Sequence, residues 1–230
     1  MLTTAVLAAT ILAQQPKTVR WAERPFDGKT LDGWVPSSSD KEHKWVVGNS
    51  AIDPHDDSRL VVLGKGNELV NLATAHGTSL DLHSRVVYPD VHLTLEVMVP
   101  HGSNSGIYLM GEYEVQVLDS YGKDKNPGDG DMGAIYGARP PFAPKYKKAG
   151  EWNTYDIKFQ APKFDASGNK TQNAKFVSVK LNGREIHRDL EMTGPTPGGV
   201  TGKEHELGPL MFQGNHGPVA YRNILVRPLR

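Results

Sequence analysis

The nine residues Val91-His92-Leu93-Thr94-Leu95-Glu96-Val97-Met98-Val99 decide the fold class. Val91, Leu93, Leu95, Val97 and Val99 fall on one side of an extended chain, and His92, Thr94, Glu96 and Met98 on the other. Side chains alternate across a strand with period two, so this segment reads as a strand with one apolar face. The same period recurs in Asn153–Gln160, where Tyr155, Ile157 and Phe159 alternate with Thr154, Asp156 and Lys158. It recurs again in Phe176–Leu181, which runs directly into Asn182-Gly183 and a second run, Arg184–His187. Asn-Gly between two alternating runs is a strong hairpin signal, because both residues accept the positive φ of a type I′ turn. Further strands are expected at His43–Val47, Arg59–Leu63, Ser105–Met110, Glu112–Leu118, Leu207–Gln213 and Val219–Val226. No stretch sustains a helical period. The expected fold is therefore all-β, a β-sandwich or jelly roll, with Tyr113, Val115, Val117, Leu93, Leu95, Val97, Ile157 and Val179 between two antiparallel sheets.

Composition agrees. The 230 residues include 24 Gly and 16 Pro, an excess of helix breakers that argues against a helical protein. Lys plus Arg equals Asp plus Glu at 26 each, so no basic footprint for nucleic acid is present and no polybasic run faces a membrane. With no Cys, disulfides, thiolate nucleophiles and Cys-held metals are excluded. Met1–Ala13 is apolar and uncharged, ends on a small residue and is too short to span a bilayer. Residues 1–15 read as a signal peptide, which makes the expected location periplasmic or extracellular, without membrane insertion. A single domain is expected over 24–230.

The chemistry-bearing stretch is Asn104–Ser120, NSGIYLMGEYEVQVLDS. Gly111 is expected to break it into two strands at a tight turn or bulge. In the second strand Glu112, Glu114 and Gln116 oppose Tyr113, Val115 and Val117, so the polar face is either solvated or the floor of a binding site. The long Gly- and Pro-rich connection Ser120–Gly150 follows and contains Gly133-Ala134-Ile135-Tyr136-Gly137. Connections of that length are usually functional or disordered. Trp152 at the start of the next strand suits a sugar platform and equally a sandwich-edge core position. Near the C-terminus, Gln213 ends a strand, Asn215-His216-Gly217 makes a turn and Arg222 lies on the returning strand. The loop also carries Asp124, Asn126, Asp129 and Asp131; the run Asp124-x-Asn126-x-Gly128 resembles part of a calcium loop, but Ile135 stands where an EF-hand needs Glu.

Taken in order, FDGKTLDGW, NSGIY, GEYEVQVLDSYG, DGDMGAIYG, GEWNTYDI and LMFQGNHGPVAYRNILVRPL resemble the 3-keto-disaccharide hydrolase family over most of the chain. The resemblance implies a concanavalin A-like jelly roll of two curved sheets in an exported protein. It also implies hydrolysis of glycosidic bonds in 3-keto-glycosides or 3-keto-disaccharides, by elimination and then hydration. The alternative is a non-catalytic carbohydrate-binding module on the same fold. Carried over residue by residue, Glu114, His216 and Tyr136 become candidate catalytic groups. Gln116, Asp119, Trp152, Gln213 and Arg222 become candidate substrate-binding groups. Glu114, Gln116, Tyr136 and His216 are expected to converge on one pocket, with Trp152 and Arg222 at its wall. Met110 stands where many relatives carry a basic residue, a change expected at the substrate pocket. No cofactor is required, although a divalent cation, calcium or a transition metal, would serve in place of a cationic side chain.

Overall fold

The computed structural model describes residues 22–229; the expected signal peptide lies outside the described residues. In chain order the strands are β1 (Trp34–Pro36), β2 (Trp45–Gly48), β3 (Ser50–Asp53), β4 (Asp56–Val62), β5 (Glu68–Asn71), β6 (Leu82–Tyr88), β7 (Val91–Met98) and β8 (Asn104–Leu109). They continue as β9 (Tyr113–Leu118), β10 (Asn153–Gln160), β11 (Lys163–Phe164), β12 (Lys170–Gln172), β13 (Ala174–Leu181), β14 (Arg184–Met192), β15 (Gly208–Phe212) and β16 (Val219–Pro228). No helix occurs among the described residues, and so none there is long and apolar enough to cross a membrane. The larger sheet has the order β14-β13-β10-β7-β16-β5-β2, and the smaller has β1-β6-β15-β8-β9. Every strand pairing is antiparallel. The fold is the expected all-β sandwich of jelly-roll type.

The period-two pattern does what it predicts. Leu93, Leu95 and Val97 of β7, Tyr113, Val115 and Val117 of β9, Ile157 of β10 and Val179 of β13 are all buried in one core between the sheets. Aromatic rings bridge that core. Phe212 of the smaller sheet stacks on Tyr221 of the larger at 4.0 Å between centroids, Trp34 lies on Phe212 at 5.3 Å and Trp45 on Tyr221 at 6.4 Å. The polar tips of the stack have partners: the Tyr221 hydroxyl reaches across to Ser105 Oγ of β8 at 2.8 Å, and the Trp34 and Trp45 indoles donate to the carbonyls of Pro25 and Leu80.

Two hairpins have the turn that their residues demand. Asn182 and Gly183 take φ of 52° and 78° between β13 and β14, the type I′ combination. Met110 and Gly111 take 55° and 69° between β8 and β9, so Gly111 marks a tight turn. Met110 is thereby drawn into the core, which corrects its expected place at a substrate pocket. The segment after Gln160 contains the small β11–β12 hairpin.

Phe212 is fully buried and touches rings from both sheets. Phe212→Ala is expected to lower unfolding free energy by about 3–5 kcal/mol, the usual loss for emptying a buried Phe site, as read from urea unfolding.

Candidate active site

The outer face of the smaller sheet carries the polar groups. Strand register places His83, Met211, Tyr108 and Glu114 in one row across β6, β15, β8 and β9. Ile135 forms a bridge with Val115, and the Tyr136 N–H donates to the Glu114 carbonyl at 3.3 Å, so Tyr136 extends the row past the sheet edge. The neighbouring row contains Gln213, Gly106 and Gln116, from the Gln213 N–H to Gly106 carbonyl bond and the Gly106–Gln116 pair. Continuing the β6–β15 register puts Asp81 beside Gln213.

Glu114 is 2% exposed although it points away from the core. A strap over residues 193–203 covers it. Thr196 Oγ1 accepts the Glu114 N–H at 2.9 Å and donates to the Glu112 carbonyl at 3.1 Å. Glu112 holds the far end of the strap, accepting from the Thr201 N–H at 2.7 Å, the Thr201 hydroxyl at 2.8 Å and the Gly202 N–H at 2.9 Å. The Glu114 carboxylate leans over Gly106, where a Cβ would collide with Oε1 and approach Tyr108 Cε2 to 2.9 Å. Gly198 of the strap is likewise close: a Cβ there would sit 2.8 Å from the Tyr108 hydroxyl. Two glycines thus make room for one carboxylate–phenol pair.

The electrostatics follow from that burial. Tyr108 donates to Glu114 Oε2 at 2.8 Å, and Gln213 Nε2 donates to the Tyr108 oxygen at 3.4 Å. Desolvation pushes Glu114 up to about 7, with the negative field of Asp81 adding and the Tyr108 hydrogen bond opposing. Burial and the adjacent carboxylate push the Tyr108 phenol far above its ordinary value, so it stays a donor at any working pH. Oε1 accepts no hydrogen bond among the described residues. A buried carboxylate titrating near neutrality, with one oxygen tied and one open, is suited to general acid–base work.

The structure brings Glu114, Gln116, Gln213 and Tyr136 to this face. Gln116 turns its Oε1 back to the Val117 N–H at 3.0 Å, while Tyr136 is 38% exposed at the edge. His216 stands at the margin, in the turn after Gln213. Its Nδ1 contacts Asn215 Oδ1, and its ring meets His76 edge-on at 4.5 Å. Burial and His76 hold it below the ordinary His value, against the field of Asp81. It makes no hydrogen bond with Glu114 among the described residues.

Three expected residues are elsewhere. Arg222 alternates with the inward Tyr221, and so faces out from the larger sheet. There it binds Glu96 at 2.7 Å and Glu68 at 3.4 Å and stacks on Trp152 with 4.0 Å from its guanidinium carbon to the ring centroid. Trp152 packs with Met98, Val70, Ala220 and Leu60, a small second core under the β3–β4 hairpin. The expected placing of Trp152 and Arg222 at the wall of the pocket is therefore corrected: strand alternation sends Arg222 to the opposite side of the sandwich, and Trp152, just before β10, stacks on it there. Asp119 is spent on the turn before β8, accepting the Gly102 N–H at 3.0 Å.

No group of three or more His, Asp or Glu among the described residues is arranged to hold a metal ion. In the long loop, Asp131 is taken by Lys123 at 2.9 Å, Ser120 Oγ at 3.1 Å and the Gly128 N–H at 2.7 Å, and Asp124 by the Tyr146 N–H at 2.9 Å. The carboxylates of Asp131 and Asp124, two of the loop's candidate cation ligands, are thus occupied by the protein's own donors. Tyr108, Asp81 and His83 are the site residues that sequence reading missed; alternation in Asp81-Leu82-His83-Ser84-Arg85 was the available signal.

Residues 22–227 match the family model for the 3-keto-alpha-glucoside-1,2-lyase-like domain. A crystal structure at 2.13 Å of a Parabacteroides distasonis ATCC 8503 protein assigned as a glycosyl hydrolase is 29% identical, with TM-score 0.68, over 91% of this chain and 84% of that one. Two others from the same organism, similarly assigned, share the fold. One is 15% identical with TM-score 0.61, over 91% of this chain and 94% of the other. The second is 21% identical with TM-score 0.58, over 90% and 99% respectively. No curated protein matches the chain.

Burial of Glu114 has a consequence for stability. Its value in the folded chain, about 7, lies above the ordinary 4.5, so its contribution is fully present below about pH 4.5 and is lost as pH rises through 7. Glu114→Gln, which can still accept from Tyr108, is expected to be more stable than the parent at pH 8 by up to about 3 kcal/mol and equal to it at pH 4. Paired thermal melts at the two pH values check this.

Proposed function

The chain belongs to the 3-keto-alpha-glucoside-1,2-lyase-like family, and from that premise we propose that it cleaves glycosidic bonds in 3-keto-glycosides, with Glu114 as the base. The observation that carries the reading is Glu114 itself: buried, titrating near neutrality, with Oε2 tied to Tyr108 and Oε1 open. The 29%-identical relative assigned as a glycosyl hydrolase supports the broader statement that the ligand is a carbohydrate.

A ketone at C3 acidifies the C2–H, so this chemistry needs one base where ordinary glycosidases need two carboxylates about an oxocarbenium-like transition state. Glu114 Oε1 takes the C2 proton. The electron pair enters the C2–C3 bond as negative charge grows on the C3 oxygen, giving an enediolate. The Gln213 amide and the Tyr136 hydroxyl are donors on the same face and stabilise that oxygen. Collapse of the enediolate forms the C1–C2 double bond and breaks C1–O. The leaving oxygen takes up a proton, from the newly protonated Glu114 or from His216. Water then adds, OH to C1 and H to C2, and the net reaction is hydrolysis. Tyr108 stays protonated throughout and keeps the base aimed through Oε1. Export to the periplasm or beyond belongs to this proposal, as the place where such substrates would be met.

Incubation with a 3-keto-glucoside and its unoxidised counterpart tests it. Aglycone release is expected from the keto compound alone. Turnover should rise with pH through about 7, as Glu114 ionises. Glu114→Gln and His216→Ala are each expected to lower it by at least about a hundredfold, the low end for loss of an acid–base group. Binding without turnover by the parent protein would favour the carbohydrate-binding module.

A further inference from the structure

Asp81 has no place in the chemistry above, yet it lies at the centre of its surroundings. It is half-buried just before β6, on the same face as Gln213. Its Oδ1 accepts the Gly214 N–H at 2.8 Å and the Asn215 N–H at 3.2 Å, so it holds the turn that carries His216. That turn is fastened from every side. Asn71 Nδ2 donates to the carbonyls of Gly214 and Gly217 at 2.8 Å each, and the Gly77 N–H donates to the Asn215 carbonyl at 2.6 Å. Gly214 itself is wedged against the Trp45 indole, whose Nε1 donates to the Leu80 carbonyl at 2.7 Å. A turn so anchored does not need Asp81's charge for its shape; an uncharged acceptor at that atom would suffice.

The charge is nevertheless there, and Asp81 forms no ion pair among the described residues. Across the sheet, three strand spacings over and two residues along, roughly 16 Å of backbone away, stands Glu114. The two side chains rise from the same face, with neutral Gln213, Gly106 and Tyr108 between them. We propose that Asp81 is a positioning residue for this site, fixing the turn that carries His216 and setting an unpaired carboxylate opposite Glu114. The inference rests on the reading of Glu114 as the base. The titratable groups that act on Glu114 are Tyr108 from β8 and Asp81 from the start of β6, with His83 of β6 in the same row; Glu114 in turn acts on Tyr221 beneath the sheet, and Asp81 acts on His216 and Tyr108. Among them Asp81 is the group that makes the Glu114 proton harder to lose without touching it.

Asp81→Asn separates the two roles, because the amide oxygen still accepts both turn N–H groups while the charge is gone. The carboxyl carbon of Glu114 is followed by 13C NMR titration in the parent and in Asp81→Asn, with Glu114→Gln to assign the signal. The expected result is a Glu114 midpoint at lower pH in Asp81→Asn, with a thermal melt at neutral pH that is no lower than the parent's, because a lower midpoint lessens the stability lost as Glu114 ionises. Asp81→Ala is expected to show the same movement together with faster hydrogen exchange at the Gly214 and Asn215 amides. With a 3-keto-glucoside, the two pH profiles should cross: Asp81→Asn is faster than the parent at pH 5 by at least about twofold and slower at pH 8, since a weaker base is ionised earlier but pulls less. A Glu114 midpoint that stays put in well-folded Asp81→Asn overturns the inference, as does a uniform loss of rate at every pH. If the midpoint moves but the parent turns over no 3-keto substrate, the reading of the reaction fails and the link between the two carboxylates stands.

Discussion

A carboxylate held out of water on the wrong side of a sheet is the constraint around which this molecule is arranged. Glu114 points away from the core, where a strand residue ordinarily meets solvent, and is buried all the same. Keeping it there requires a glycine beneath it, a phenol against one oxygen and a strap above it. Each of those in turn has its own support: the strap hangs on Glu112, and Tyr108 is steadied by Gln213. A buried group with one bond and one open oxygen is costly to stability and valuable for proton transfer.

The sandwich supplies the rigidity this needs. Rings from both sheets interlock at Phe212 and Tyr221, and Phe212 immediately precedes Gln213. The sheet register thus carries the packing of the core directly into the site floor. The same alternation assigns the other face of the larger sheet to a different task. Arg222, Glu96, Glu68 and Trp152 there fasten the β3–β4 hairpin over a second small core, and Ser50 of that hairpin gives Glu68 its N–H and its hydroxyl at 2.6 Å each.

The fold was legible because period-two patterns in β7, β9 and β10 each have one uninterrupted apolar face, and Asn182-Gly183 permits few turns other than the one it makes; in β13 a bulge breaks the alternation, so Phe176 and Val179 both face the core and Val177 does not. The floor of the site was legible in part for the same reason: Glu114 and Gln116 had to share a face. What escaped was non-local. β6 begins after a polar stretch and mixes His83 and Arg85 with Val86 and Val87, so its period is blurred and Asp81 was not seen to join the floor. The strap at 193–203 shows only as a Gly- and Pro-rich segment, and nothing local to it says that it lands on Glu114 and Glu112. Arg222 and Trp152 were misplaced for a different reason. Their proximity to site motifs along the chain says nothing about which side of a strand they leave from; Tyr221, one residue away and inward, does.

The central claim is that Glu114 removes the proton at C2 of a 3-keto sugar, and hydrogen exchange at that carbon measures it most directly. In D2O, a 3-keto-glucoside recovered before complete turnover is expected to carry deuterium at C2 with the parent protein and none above background with Glu114→Gln. Exchange that persists in the Gln variant, or bond cleavage by the parent with the C2 hydrogen retained throughout, would contradict the account.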